Sequence, residues 1–376
     1  MTRAICSRAL LSRRELLAAS PVALAPLSYW AARLAADGPT DRSLTGGASE
    51  DATGGGSGEI TAASKAATKR ATDFLLRTFN NDDGCGTDVR HPSDIGCTAM
   101  VGLALLSQGH TVIEGELYKR VDRVLRYMLR TVAAMPPGNI TSQFGTQLQN
   151  KIGVQAHTFF ATLFLSQVIG EDSDEEKRVR RALTRLVDVI ARQQTSDGHW
   201  GQESWAPMLG TVMGWVALRG AHYAGFRVQA SAEKTATHIV KAMTTELGRH
   251  QQSWMHQLYK NATGVRVLYA IGKDEQPVAR QAFESVLNLI KGSDSPFSQA
   301  GGEEFLSFHL ITETMLQKGG GDWKSWYPLV REKLLSVQNS DGSWTGHHCI
   351  TSRTFCTAAA VLVLSAPNRF LPISQQ

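Results

Sequence analysis

No stretch of this sequence approaches the roughly 18 to 20 apolar residues that span a bilayer. The densest, from Thr158 to Ile169, has the length of a buried helix, so no transmembrane segment is expected. Net charge of one sign is scarce as well. The formal charge is +5 over 376 residues, and the first 36 residues hold five arginines (Arg3, Arg8, Arg13, Arg14, Arg33) against Glu15 alone; beyond them 34 basic residues face 33 acidic ones. A nearly neutral body has no electrostatic footprint for nucleic acid. Alternating β-branched residues are rare, which argues against sheets. Cysteine is limited to five residues.

What is present divides the chain into three parts. Residues 1–36 read as an address. A basic start leads through Ser12, Arg13, Arg14, Glu15, Leu16 and Leu17 into a modestly apolar run ending at Trp30, with small residues for cleavage near Ala35 or Ala36. This resembles a twin-arginine export signal, which implies a periplasmic or extracellular protein. Residues 37–59 are rich in Gly, Ser, Thr and Asp and nearly devoid of apolar side chains. Such a stretch buries too little surface to offset its ordering entropy and reads as a flexible linker. The folded domain is expected over 60–376.

In that domain the apolar spacing follows the helical period. Amphipathic and wholly apolar helices alternate: 61–78 with 96–107, 116–134 with 153–169, 173–194 with 207–219, 231–247 with 254–271, 276–290 with 302–317, and 323–338 with 351–364. The closing positions, Gly109, Gly170, Gly220, Gly272, Gly319 and Ser365, are separated by 61, 50, 52, 47 and 46 residues. A helix that is apolar on every side must be buried on every side. Six such helices achieve this as an inner ring surrounded by their amphipathic partners. The predicted fold is therefore all-α, an α6/α6 toroid or double barrel of six helical hairpins; an open superhelix is the alternative way to stack hairpins.

One phrase recurs between hairpins: QTSDGHW at Gln194 to Trp200, QNSDGSW at Gln338 to Trp344, and a degraded NNDDGCG at Asn80 to Gly86. Together with the period of about 50 residues, it resembles the repeats of squalene and oxidosqualene cyclases and of protein prenyltransferase β subunits, over roughly residues 60–370. The resemblance implies an α/α toroid. It also implies a structural role for Gln194, Asp197, Gly198 and Trp200 and for Gln338, Asp341, Gly342 and Trp344, the glutamine capping an outer helix and stacking on the tryptophan.

The chemistry of those families is harder to find. Terpene cyclases of this resemblance use a buried DxDD acid. The nearest stretch here, Asp172, Ser173, Asp174 and Glu175, falls where an outer helix begins and reads as a helix start. Prenyltransferases hold zinc with Asp, Cys and His; Glu303, Glu304, His309, His347, His348, Cys349 and Cys356 are of ligand type, but the Asp-x-Cys pairing is missing, so neither metal nor cofactor is expected. Cys85 and Cys97 in the first hairpin, with Cys349 and Cys356 in the last, would meet at one seam of a closed ring, where a disulfide competes with buried free thiols.

The cavity should be lined by the starts of the inner helices. Candidates are Gln155, His157, Trp205, Trp215, Trp254, His256, Tyr259 and Arg353, with core packing as the competing role for each aromatic. Glu303, Glu304 and His309 are the candidate catalytic residues, against a helix start for the two acids and core packing for His309. The sequence is read as an exported toroid that binds a small hydrophobic, isoprenoid or glycan ligand, or a protein partner, without DxDD cyclase chemistry. Its alternatives are an isoprenoid cyclase or transferase with another acid, and a polysaccharide hydrolase or lyase using Glu303 or Glu304.

Overall fold

The computed structural model describes residues 59–136, 145–200, 204–245 and 253–375. The export signal and nearly all of the linker lie outside the described residues. The inner helices are α2 (Ile95–Leu106), α5 (Ala156–Val168), α7 (Pro207–Tyr223), α9 (Trp254–Ala270), α12 (Gly302–Lys318) and α14 (Arg353–Leu364). Every residue of α2 and of α5 is buried, as their unbroken apolar sequences require. The outer helices are α1 (Ala62–Leu76), α3 (Tyr118–Ala134), α6 (Glu176–Gln193), α8 (Gln229–Thr245), α10 (Pro277–Gly292) and α13 (Gly320–Ser336). In α3 the buried set Val121, Val124, Leu125, Met128 and Val132 follows one face, and charged residues occupy the other.

Each inner helix packs on its two neighbours, and α14 packs on both α12 and α2, so the ring is closed. No strand occurs among the described residues; three isolated bridges lie between residues 79 and 94. No described helix is long and apolar enough to cross a membrane.

The recurring phrase is what joins the hairpins. Gln194 Nε2 donates to Ser231 O (2.9 Å) and Thr235 Oγ1 (2.8 Å) of the next outer helix, and to Gly198 O (3.3 Å) of its own turn. Gln338 Nε2 does the same for Gly342 O and for Ala67 O on α1, both at 2.9 Å, which ties the last hairpin to the first. The indole N–H groups of Trp200 and Trp344 donate to Ile190 O and Leu334 O, each at 2.9 Å, capping the ends of α6 and α13. Gly198 and Gly342 both have φ near +90° (91° and 92°), and a Cβ on either would lie 2.4 Å from a backbone carbonyl, Lys234 O or Arg70 O. Gly342→Ala should therefore cost more than the ~1 kcal/mol of an ordinary glycine replacement; an unchanged urea midpoint would contradict this role.

Four expectations need correction. Between the second outer and inner helices, where the pairing of 116–134 with 153–169 places no helix, lies a further one, α4 (Gln147–Ile152), started by a capping box of Thr146 and Gln149 and ended at Gly153 with φ 130°. The third inner helix runs past Gly220 to Tyr223 and stops at Gly225 (φ 87°), while Gly220 is an interior contact point whose Cβ would meet Ser166 Oγ at 2.5 Å. The last outer helix begins at Gly320 and accommodates Pro328. The seam between α2 and α14 exists, but Cys85, Cys97, Cys349 and Cys356 are all free thiols. Cys97 Sγ donates instead to Gly86 O at 3.3 Å and lies 3.8 Å from Ser352 Oγ. Burial pushes the Cys85 thiol up to about 12 and those of Cys97 and Cys356 well above the usual range, which suppresses the reactive thiolate. Thiol counting on the unfolded, unreduced protein is expected to find all four.

Candidate active site

The first turn of α12 carries two adjacent carboxyls at the N-terminal end of that inner helix. Glu303 and Glu304 are both fully buried. Glu304 reaches back to the start of its own helix, where Oε2 accepts the Gly301 N–H at 2.6 Å, and its Oε1 accepts from the hydroxyl of Tyr259 on α9. Glu303 Oε2 accepts the Ile350 N–H at 3.2 Å, whereas its buried Oε1 has no donor. His348 Nε2 lies 3.4 Å from Glu304 Oε2, and neither ring nitrogen of His348 makes a hydrogen bond.

The loop carrying His348 is fastened over the pair by backbone bonds, His347 N to Ala300 O (2.8 Å) and Gly302 N to Ile350 O (2.9 Å). Only glycine fits at 301, since a Cβ would come within 2.5 Å of His348 O. Cys349, in the left-handed region at φ 54°, contacts Glu303 and Lys151.

Burial raises Glu303 from 4.5 to about 7, with the neighbouring Glu304 adding repulsion. Burial likewise raises Glu304 to about 7, against the hydrogen bonds from Tyr259 and Gly301. Two carboxyls this close titrate as a unit, and near neutral pH the pair holds about one proton. The folded state then binds protons that the unfolded chain releases between about pH 4.5 and 7. The pair's contribution to stability is present below that window and lost as pH rises through it. Glu303→Gln should flatten this slope in urea midpoints measured from pH 5 to 8; an unchanged slope would place the titration elsewhere.

Glu303, Glu304 and His348 each offer a ligand atom within 4.8 Å of the others, the only such group found among the described residues. Two oxygens and an imidazole suit a divalent cation.

A second set of side chains lies beside the acids. Ala206 N donates to Lys151 O at 2.9 Å, which sets Trp205 next to the end of α4. Lys151 Nζ sits 5.0 Å from the centre of the Trp205 indole, His256 is 6.1 Å from the same ring, and Tyr259 is 6.0 Å from His256. Trp205 is 56% exposed, unusual for so large an apolar surface. The structure thus brings Trp205, His256, Tyr259, Glu303 and Glu304 near one another. Gln155 and Trp254 are half-buried at the starts of α5 and α9.

Other candidates go elsewhere. His157 is fully buried, its Nε2 2.9 Å from Asp94 Oδ2. Burial works to raise Asp94, but His157 and the Cys97 N–H hold it below the usual carboxylate range, and its Oδ1 caps α2 at 2.8 Å. Trp215 is buried under the guanidinium groups of Arg219 and Arg266 at 5.7 and 5.9 Å. His309 faces the opposite end with Glu313 and is held below its usual range by burial. Arg353 is exposed and binds Asp341 and Ser343 of the last repeated phrase, over Phe74 at 5.2 Å. The Asp172–Glu175 stretch is a helix start, Asp172 Oδ1 accepting the Asp174 N–H at 2.9 Å.

Lys151 and Asp94 were missed by the sequence reading. Asp94 had a visible signal, a polar residue directly before an apolar run. Lys151 had none.

No family model and no curated protein sequence matches the chain. Two solved structures are similar in fold. A type II terpene cyclase variant from Scytonema in complex with its substrate geranylgeranyl dihydroxybenzoate has a TM-score of 0.51 at 15% identity, over 82% of this chain and 98% of that one. An inactive variant of an α-1,6-mannanase of Salegentibacter, in complex with α-1,6-mannotriose, has a TM-score of 0.56 at 9% identity, over 82% and 99%. The chain has the α/α toroid fold.

Proposed function

We propose that this toroid is an enzyme that cleaves a glycosidic bond by general acid–base catalysis, with Glu303 as proton donor and Glu304 as its partner carboxylate. The observation that carries the reading is the buried pair itself. Both carboxyls are raised to about 7, and one oxygen of Glu303 has no protein donor. A proton held near working pH is what a general acid requires. Glu304 accepts two hydrogen bonds, which favours the ionised form. The mannanase that shares the fold supports the reading in one respect: its inactive variant has two consecutive aspartates changed to asparagine, and here too the acids are consecutive.

The donor atoms lie within 4.8 Å of one another. That is closer to the roughly 5 to 5.5 Å of double-displacement glycosidases than to the about 6.5 to 9.5 Å that leaves room for a water. On this spacing Glu303 protonates the leaving oxygen as Glu304 bonds to the anomeric carbon. In the second step water attacks that carbon, Glu303 takes its proton, and Glu304 leaves. One water is consumed and the anomeric configuration is retained. Because both acids are covered, the loop of residues 346–351 must shift to admit the sugar. Export by the twin-arginine-type start belongs to the same reading, since polysaccharides are met outside the cytoplasm; sequencing the mature N-terminus from the native compartment checks it.

The test is incubation of the full chain with neutral and acidic oligosaccharides, with products read by mass spectrometry and anomeric NMR. Cleavage with retention is expected. Conversion of squalene or of a geranylgeranyl substrate without cleavage of any glycan would replace this reading with the cyclase alternative.

A further inference from the structure

Resting on that reading, we infer that the sugar carries a negative charge, a carboxylate or sulfate, and that Lys151 beside the exposed face of Trp205 reads it. Trp205 has the size and exposure of a sugar-stacking platform, and it stands in contact with the acids by two routes. One runs through His256 and Tyr259 to Glu304, the other through Lys151 and Cys349 to Glu303.

The charge argument turns on Lys151. Its described contacts are the indole face and the Cys349 thiol, and no carboxylate pairs with it among the described residues. A sugar stacked on Trp205 would strip water from the ammonium lying 5.0 Å from that ring. A neutral sugar leaves the cation desolvated and without a partner, which is costly; an anionic sugar supplies the missing partner. His256, in the same group, has its Nδ1 engaged with Ser253 Oγ at 2.8 Å.

The experiment measures binding and cleavage side by side. Isothermal titration is run with oligogalacturonate, a sulfated oligosaccharide and α-1,6-mannotriose on the wild-type chain and on Glu303→Gln, which keeps the shape while blocking proton donation. At least one anionic ligand is expected to bind about tenfold or more tighter than the neutral one, the scale of a charge-assisted contact. Lys151→Met should remove that margin and leave neutral binding unchanged, Lys151→Arg should restore most of it, and Trp205→Ala should weaken both ligand types. Carboxylate and sulfate are distinguished by which anionic probe gains. Equal affinity for anionic and neutral ligands, equal loss of both in Lys151→Met, or no binding of any of them overturns the inference. Anionic binding without cleavage keeps it and sinks the enzymatic reading, whereas cleavage of a neutral glycan alone does the reverse.

Discussion

Glu303→Gln is expected to lower turnover by about 10²- to 10⁴-fold, the range in which a positioned general acid contributes, while the protein remains folded. Glutamine keeps the shape of the protonated acid and its acceptor toward the Ile350 N–H, but it has no acidic proton to give. Glu304→Gln should be as damaging to turnover and should also disturb the start of α12, because Glu304 Oε2 accepts from Gly301 at 2.6 Å. The two losses should not add, since the carboxyls work as a unit. The wild-type rate should fall on both sides of neutrality as the shared proton is gained or lost, and a bell that persists in Glu303→Gln would assign the acid elsewhere. A chelator is expected to leave the rate unchanged; full loss with recovery on adding a divalent ion would make the trio with His348 a metal site instead.

The second large effect is on stability and lies at the other end of the ring. Glu313→Ala should destabilise the fold by about 3–5 kcal/mol, the cost of leaving a buried charge without its partner. Arg266 is fully buried on α9, its Nη2 2.8 Å from Glu313 Oε2 and its Nη1 3.0 Å from Gln317 Oε1. Glu313 Oε1 also accepts from Ser374 at 3.0 Å in the closing turn Pro372–Gln375, and Ile373 N donates to Gln167 Oε1 at 2.9 Å. Burial pulls Arg266 down to about 10, only partly offset by Glu313, and removing that partner leaves the buried guanidinium without compensation. Burial opposes ionisation of Glu313 too, but Arg266 holds its carboxyl below the usual range. The stability it contributes is therefore present at neutral pH and lost as pH falls through that lowered value. Replacing both partners by apolar residues, Arg266→Met with Glu313→Leu, should recover most of the loss in urea denaturation, because the desolvation cost disappears with the charges. If the double variant were no better than the single one, the pair would be needed for packing rather than for charge balance.

The two ends of the ring thus use buried charge in opposite ways. At Arg266 and Glu313 unlike charges compensate and both stay ionised. At Glu303 and Glu304 like groups are forced together and one stays protonated. The first arrangement holds helices and the chain's closing turn in place; the second leaves a proton on a buried carboxyl beneath the loop of residues 346–351.

Much of the fold was legible from local pattern. Unbroken apolar runs such as Ile95–Leu106 require burial all round, amphipathic runs such as Tyr118–Ala134 require one buried face, and four of the six closing positions are glycines with positive φ where the helices do stop. These properties arise within one turn or one helix, so residue order suffices to read them. Gly220 failed as a stop because a glycine also serves where helices approach closely, and only the neighbour, Ser166, tells the two uses apart. The candidate site was legible in its residue types and not in its grouping. Glu303 and Glu304 look like a helix start, and they are one, since Glu304 reaches back to Gly301. Their second nature comes from burial against elements far away in sequence, with Tyr259 and His348 among the neighbours that closure of the ring brings close. Burial and proximity between distant helices set the charge state of a carboxyl, and no local pattern encodes either. The sequence by itself determined six hairpins and which helix of each faces inward; the tertiary structure alone decided that two ordinary glutamates are buried side by side and raised toward neutrality.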